Sequence, residues 1–223
     1  MRMRRKKNLA QRFQNCVDIL VENPADHQGK WLAGRCETAL HLEIGCGKGR
    51  FTMETAINTP EVLHIALEKE QNAMISAMER TLAYGLSNLL FIDTDARHLS
   101  ELFAPSEITR IYINFPDPWP NNRHAKRRLT SPAFLALYQQ VLKPGGEIRF
   151  KTDNRDLFAY SVTQFSDHGF LTEDVTTDLH GSGQADVMTD YEQKFHQMGI
   201  AICRFVARKK GGDQGWLNSF HGT

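Results

Sequence analysis

Leu42-Glu43-Ile44-Gly45-Cys46-Gly47-Lys48-Gly49-Arg50-Phe51 joins a strand-like apolar run to a helix-like one through three glycines. A glycine-rich turn at such a junction lets a ligand approach the backbone closely, with a helix N-terminus behind it. Single residues exclude two nucleotide-binding signatures. The dinucleotide fingerprint G-x-G-x-x-G needs glycine where Arg50 stands, and the P-loop needs Ser or Thr after Gly-Lys, where Gly49 follows Lys48. Glu43, at the strand end, is unfavourable for a pyrophosphate and favourable for a cation. Lys48 opposes that preference unless it points to solvent.

Working outward, β-branched and apolar runs alternate with helical periodicity. The pattern predicts strands over 39–44, 62–67, 89–92, 108–114 and 147–151, and helices near 51–58, 71–84, 131–142 and 154–168. Ser131 and Pro132 carry helix-start chemistry, and Lys143-Pro144-Gly145-Gly146 carries a stop. Two late strands, 171–177 and 200–207, flank a helical segment around 189–198 and can pair antiparallel at one edge. The class is α/β, a mostly parallel sheet with helices on both faces. Residues 1–38 read as a basic N-terminal arm with one helix near Leu9–Val21, 39–210 as the single domain and 211–223 as a tail.

Glu68 ends the second strand, 25 residues after Glu43. In a βαβ unit a carboxylate there accepts from two ribose hydroxyls. Asp95-Ala96 follows the third strand, where a carboxylate can accept from an adenine amino group while a backbone N–H meets the ring. Three acids at three successive strand ends lie on the edge where open α/β sheets bind ligands. A nucleoside ligand with positive charge is implied. S-adenosylmethionine, carrying a sulfonium and an ammonium, fits better than NAD.

Composition narrows the setting. At 223 residues the chain can bury about 70% of its unfolded surface without staples. No run approaches a membrane span, and Asp18 and Glu22 interrupt the apolar stretch that a secretory signal would need. Cys16, Cys36, Cys46 and Cys203 are far apart, and His41, His98 and His124 lack ligand spacing. A cytoplasmic protein without metal or disulfides is expected. The net charge of +1 hides an asymmetry. Residues 1–12 hold six bases and no acid, and 123–128 hold four more, leaving 17 bases against 26 acids elsewhere. Two basic segments on an acidic body suit a polyanion such as RNA.

The fourth strand ends in Asn114-Phe115-Pro116-Asp117-Pro118-Trp119-Pro120, and Arg123-His124-Ala125-Lys126-Arg127-Arg128 follows. Prolines fix the backbone around Asp117, so a carboxylate is held at the same sheet edge beside phosphate-seeking cations. From these residues alone, methylation of RNA competes with methylation of a small molecule or protein, which would leave the 123–128 cluster without a use. A non-catalytic RNA-binding relative is a further alternative.

The Glu43–Gly49 loop, Glu68, Asp95-Ala96, Asn114–Trp119 with Arg123–Arg128, Lys151-Thr152-Asp153-Asn154 and Thr189-x-Tyr191-Glu192-x-Lys194-Phe195 together resemble the bacterial tRNA (guanine-N7)-methyltransferases, over nearly the whole chain. The resemblance implies a class I methyltransferase fold, a seven-stranded sheet with its last strand antiparallel. It implies S-adenosylmethionine as methyl donor and N7 of guanosine-46 in the tRNA variable loop as acceptor, with the protein a monomer or homodimer. It assigns Glu43, Gly45, Gly47, Gly49, Glu68, Asp95, Ala96, Asn114 and Asp117 to the cofactor, with Asp117 also catalytic. To the substrate it assigns Asn121, Arg123, Lys126, Arg127, Arg128, Asp153, Thr189, Tyr191 and Glu192. The family often has lysine where Asn121 stands, which removes a charge from that contact. Asp153 and Glu192 both suit the two donors of a guanine edge, although Asp153 could instead cap the following helix, and Tyr191 and Phe195 could be plain core.

Overall fold

β1 (Ala39–Ile44), which feeds the glycine turn, pairs in parallel with β2 (Val62–Leu67) on one side and β4 (Ile108–Asn114) on the other. The computed structural model describes residues 6–183 and 187–210, so Arg2, Arg4 and Arg5 of the basic arm and the 211–223 tail lie outside the described residues. β3 (Leu89–Ile92), β5 (Leu142–Thr152), β6 (Phe170–Thr176) and β7 (Cys203–Lys209) complete one sheet of order β3-β2-β1-β4-β5-β7-β6. β3 and β5 continue the parallel set, and β7 runs antiparallel to both β5 and β6. This is the expected class I methyltransferase topology. Among the described residues no helix is long and apolar enough to cross a membrane.

Register sorts the strand residues onto two unlike faces. Leu40, Leu42 and Ile44 lie beside Leu63, Ile65 and Leu67, and Ile111 and Ile113 beside Ile148 and Phe150. That apolar face forms the main core with α4 (Leu99–Leu102), α5 (Pro132–Val141) and α6 (Arg155–Asp167). The alternate residues His41, Glu43, His64, Arg110, Tyr112 and Asn114 face the other way. α2 (Arg50–Asn58) covers part of that side, with Phe51 edge-on to Tyr112 at 5.0 Å. α3 (Gln71–Tyr84) buries Met74, Ile75 and Met78 in a second cluster with Ala66 and Phe91.

Two boundaries differ from the expectation. The first helix, α1 (Leu9–Gln14), stops well before Val21. Val17–Ile19 tightens to a 3-10 turn and Leu20 bridges to Phe91, so sheet pairing ends the helix. α5 does stop ahead of the Pro-Gly-Gly stretch, but β5 begins at Leu142, with a register irregularity in its pairing to β4. The arm is docked: Arg12 donates twice to Glu79 of α3, each at 2.6 Å, and the Lys6 backbone N–H donates to Asn72 at 2.8 Å. Trp31 is buried against Phe103.

Candidate active site

The three glycines of the β1–α2 turn all have left-handed backbones, φ 80° at Gly45, 56° at Gly47 and 78° at Gly49. Their reasons differ. A Cβ on Gly49 would lie 2.3 Å from the Ala77 Cβ of α3, so this glycine exists for packing. A Cβ on Gly45 or Gly47 would meet nothing within 4 Å, which leaves their backbone open to a ligand. Lys48 is exposed at the rim, where solvent screens its charge.

Glu43 is 3% exposed. Asn114 Nδ2 donates to its Oε1 at 2.9 Å and the Thr52 hydroxyl donates to Oε2. Burial pushes its carboxyl up to about 7, against the pull of those two hydrogen bonds and of Lys151. Asn114 Oδ1 is buried and has no hydrogen-bond partner among the described residues. A buried carboxylate next to an unpaired acceptor is a site that a cationic donor group completes, since both atoms lack what an ammonium supplies. The chemistry of S-adenosylmethionine fits these residues.

Glu68 holds the turn from the neighbouring strand, accepting from Gly47 N–H at 2.9 Å and Glu70 N–H at 2.8 Å. Asp95 caps a short turn, accepting from the Arg97 backbone N–H and from Arg97 Nε, each at 3.0 Å. Burial alone would raise the Asp95 carboxyl, but the Arg97 bonds hold it below the usual range. Ala96 is buried behind it.

Two adjoining cavities, of about 740 Å³ and 310 Å³, share Gly45, Asn114 and Phe115. The larger brings Glu68, Asp95 and Ala96 together with Asp117, Lys126 and Arg127. The smaller is bounded by Glu43, Gly47 and Gly49 and, across from them, by Thr189 and Tyr191.

Asp117 is exposed on a loop whose backbone is unusual at both ends. Phe115 (φ 51°) and Trp119 (φ 42°) are non-glycine residues in the left-handed region. Such strain persists only where surroundings over-determine it. Here Phe115 N–H donates to the Lys151 carbonyl at 2.8 Å, and Arg128 donates to the Pro118 and Trp119 carbonyls at 3.0 Å each.

The basic run therefore divides. Lys126 and Arg127 line the large cavity, Arg127 lying over the Trp119 ring at 4.9 Å. Arg128, expected at the substrate, is 8% exposed and turned inward onto the loop carbonyls and the Tyr160 ring. Asn121 caps the 3-10 turn Asn122–Arg127 by accepting from Arg123 N–H at 3.1 Å. Neither Asn121 nor Arg123 lines either cavity.

The last substrate group divides too. Asn154, not Asp153, caps α6, which leaves the Asp153 carboxylate out of that role. Tyr191 is 45% exposed and packs on Phe115 and Phe195 at 5.1 and 4.3 Å between ring centroids, so it is not plain core. Glu192, one of the two carboxylates that suited the guanine edge, is fully buried. With Thr189 it forms a capping box at the start of α7 (Asp190–Gln197), a pattern visible in the Thr-x-x-Glu spacing. Sequence reasoning also missed Thr52, whose signal is a hydroxyl nine residues after Glu43 on the turn's helix, and Lys151 as more than a motif neighbour.

A family model described as "Putative methyltransferase" matches residues 37–205. The tRNA (guanine-N(7)-)-methyltransferase of Streptococcus suis (strain 05ZYH33) is 40% identical over 211 residues, covering 93% of this chain and 99% of that protein. The protein of the same name from Lachnoclostridium phytofermentans is 45% identical over 194 residues, covering 85% and 90%. Among solved structures, a mutant 16S rRNA (adenine(1408)-N(1))-methyltransferase with cosubstrate SAM from Catenulisporales acidiphilia superposes with a TM-score of 0.61 at 15% identity, covering 85% and 92%. At that identity the likeness speaks for the fold. The matches in sequence run through the glycine turn, the proline-bounded aspartate and the α7 capping box alike, and this chain belongs to the tRNA (guanine-N7-)-methyltransferase family.

Proposed function

We propose that this chain methylates N7 of guanosine-46 in the tRNA variable loop, with Asp117 beside the reacting base. Methyl transfer from S-adenosylmethionine to guanine N7 of tRNA is the reaction of the family. The observation that carries the finer reading is the composition of the large cavity. Asp117 shares it with Glu68 and Asp95 on the cofactor side and with Lys126 and Arg127 on the polyanion side.

S-adenosylmethionine, when bound, supplies a methyl group activated by positively charged sulfur. Glu43 and the unpaired Asn114 oxygen would hold its ammonium end, Glu68 its ribose hydroxyls, and Asp95 with the Ala96 N–H its base. Guanine N7 carries a free lone pair, so no side chain has to remove a proton. What the reaction demands is alignment and charge: the ring becomes cationic as the methyl arrives. Asp117, fixed by prolines and by Arg128, stabilises that cation in place. Lys126 and Arg127 hold RNA phosphates, with Arg123 on the outer surface. Tyr191 offers a ring for an unstacked base and Asp153 a carboxylate for its Watson–Crick edge. The protein acts in the cytoplasm, as a monomer or homodimer.

Unmodified tRNA incubated with isotope-labelled donor should yield labelled 7-methylguanosine on nucleoside mass spectrometry, mapped to position 46. Label in any other nucleoside would overturn the proposal. Asp117→Asn should lower kcat about 100-fold, the scale of losing one electrostatic stabiliser. A wild-type rate in that variant would remove Asp117 from the chemistry.

A further inference from the structure

α7 is an eight-residue helix with one buried residue, and that residue is Glu192. α2, α3, α5 and α6 each bury aromatic or aliphatic side chains. α7 therefore lacks the apolar anchor that seats the others, and polar bonds must hold it. The central one is Lys151 on β5, 1% exposed, whose Nζ donates to Glu192 Oε2 at 3.2 Å and to the Val187 carbonyl at 2.9 Å. His180 Nε2 lies 3.2 Å from the other Glu192 oxygen. The same His180 ring packs on His196 of α7 at 4.4 Å, and further ties at the surface join Arg80 with Asp190 at 3.2 Å and Arg50 with Gln193.

Lys151 also holds the opposite wall. Its backbone carbonyl accepts the Phe115 N–H, and Phe115 meets Tyr191 across the smaller cavity. One residue thus ties the Asp117 loop to α7. We propose that Lys151 is a positioning residue for methyl transfer: through Glu192 it seats α7, and with it Tyr191, over the cavity, and Glu192 acts from beneath without touching the base. The proposal rests on the tRNA-methylating function stated above.

The two residues should then behave as one unit. Removing Lys151 alone strands a buried carboxylate, which is worse than removing both charges. Lys151→Met should lower kcat/KM for tRNA about 100-fold, the scale of a small misplacement near the reacting atoms. The double variant Lys151→Met/Glu192→Gln should be no worse than the more damaged single. Glu192→Gln should lower kcat/KM for tRNA while donor affinity, by calorimetry, stays near wild type. Losses that multiply in the double variant would mean that Glu192 meets the base itself and would overturn the proposal. So would kinetics at the wild-type level with only a lowered Tm.

Should the variants fail to fold, hydrogen exchange on the wild-type protein serves. Amides of residues 190–197 should lose protection when pH is lowered until Glu192 is neutralised, while those of α6 keep theirs, and a parallel change in both helices would show that α7 needs no such seat. A wild-type protein that makes no 7-methylguanosine would instead sink the functional reading, and exchange would still report on the seat.

Discussion

The two faces of the sheet are built from the same strands and do opposite things. On one, Leu42, Ile65, Ile111, Phe150 and Phe205 are completely buried among apolar neighbours. On the other, Glu43, His41, His64, Asn114 and Lys151 are buried as well, a polar strip beside the smaller apolar cluster that Ala66 and Phe91 share with α3. Sheets covered on both sides tend to carry continuous apolar runs. Here the alternation of a half-exposed sheet persists although both faces are covered. The first face supplies the main core, and the polar strip on the second bears the cost of keeping charged groups dry for a ligand.

The largest effect should come from the apolar face. Phe205 packs against Phe150, Phe158 and Phe165 with centroids at 4.9, 5.8 and 5.2 Å. Phe205→Ala should cost about 3–5 kcal/mol by denaturant unfolding, with cofactor affinity of the folded protein unchanged. A comparable loss of affinity would break the division between the faces.

Glu43→Gln probes the other face. Loss of the charge should weaken cofactor binding by about 1.5–3 kcal/mol, the scale of a charge-assisted hydrogen bond. Stability of the ligand-free protein should move the other way. A folded-state pKa of about 7 lies above the ordinary value, so this group's contribution is complete at low pH and is lost as pH rises through 7. The variant should therefore have a higher Tm than wild type at pH 8. Calorimetry of the wild type near pH 6.5, in buffers of different ionisation heat, should register proton release on cofactor binding. Binding without release would deny that Glu43 meets positive charge.

The smallest effect is an acid slope. Burial, and then Arg110, holds His41 down to about 3 and His64 down to about 4. Stability from keeping them neutral is complete above about pH 6.5 and is lost as pH falls toward those values. Glu43 runs the opposite way over part of this range, but two histidines outweigh one carboxylate. Tm should fall between pH 6.5 and 5, and His64→Gln should flatten the slope.

Strand positions, the glycine turn and the row of acids were legible because each rests on local spacing: period two in strands, left-handed turns at glycine, acids at strand ends; the order of the strands in the sheet was not, because it rests on long-range pairing. The direction of long charged side chains was not. Arg127 and Arg128 are neighbours of one type, yet one faces the cavity and the other the loop carbonyls beneath it, a choice made by Pro118, Trp119 and Tyr160. Glu192 carries the same composition signal as Asp153 and ends fully buried, because Lys151 lies under it. α1 was overestimated because helix periodicity says nothing of the competing pairing with Phe91.

Arg128 has a kinetic consequence. Its grip on two successive carbonyls makes the segment around Asp117 a template already set before any RNA arrives, with its ordering entropy spent during folding. Binding at this wall should therefore carry little ordering cost for the loop itself, and its rate should be set by encounter rather than by rearrangement around the aspartate.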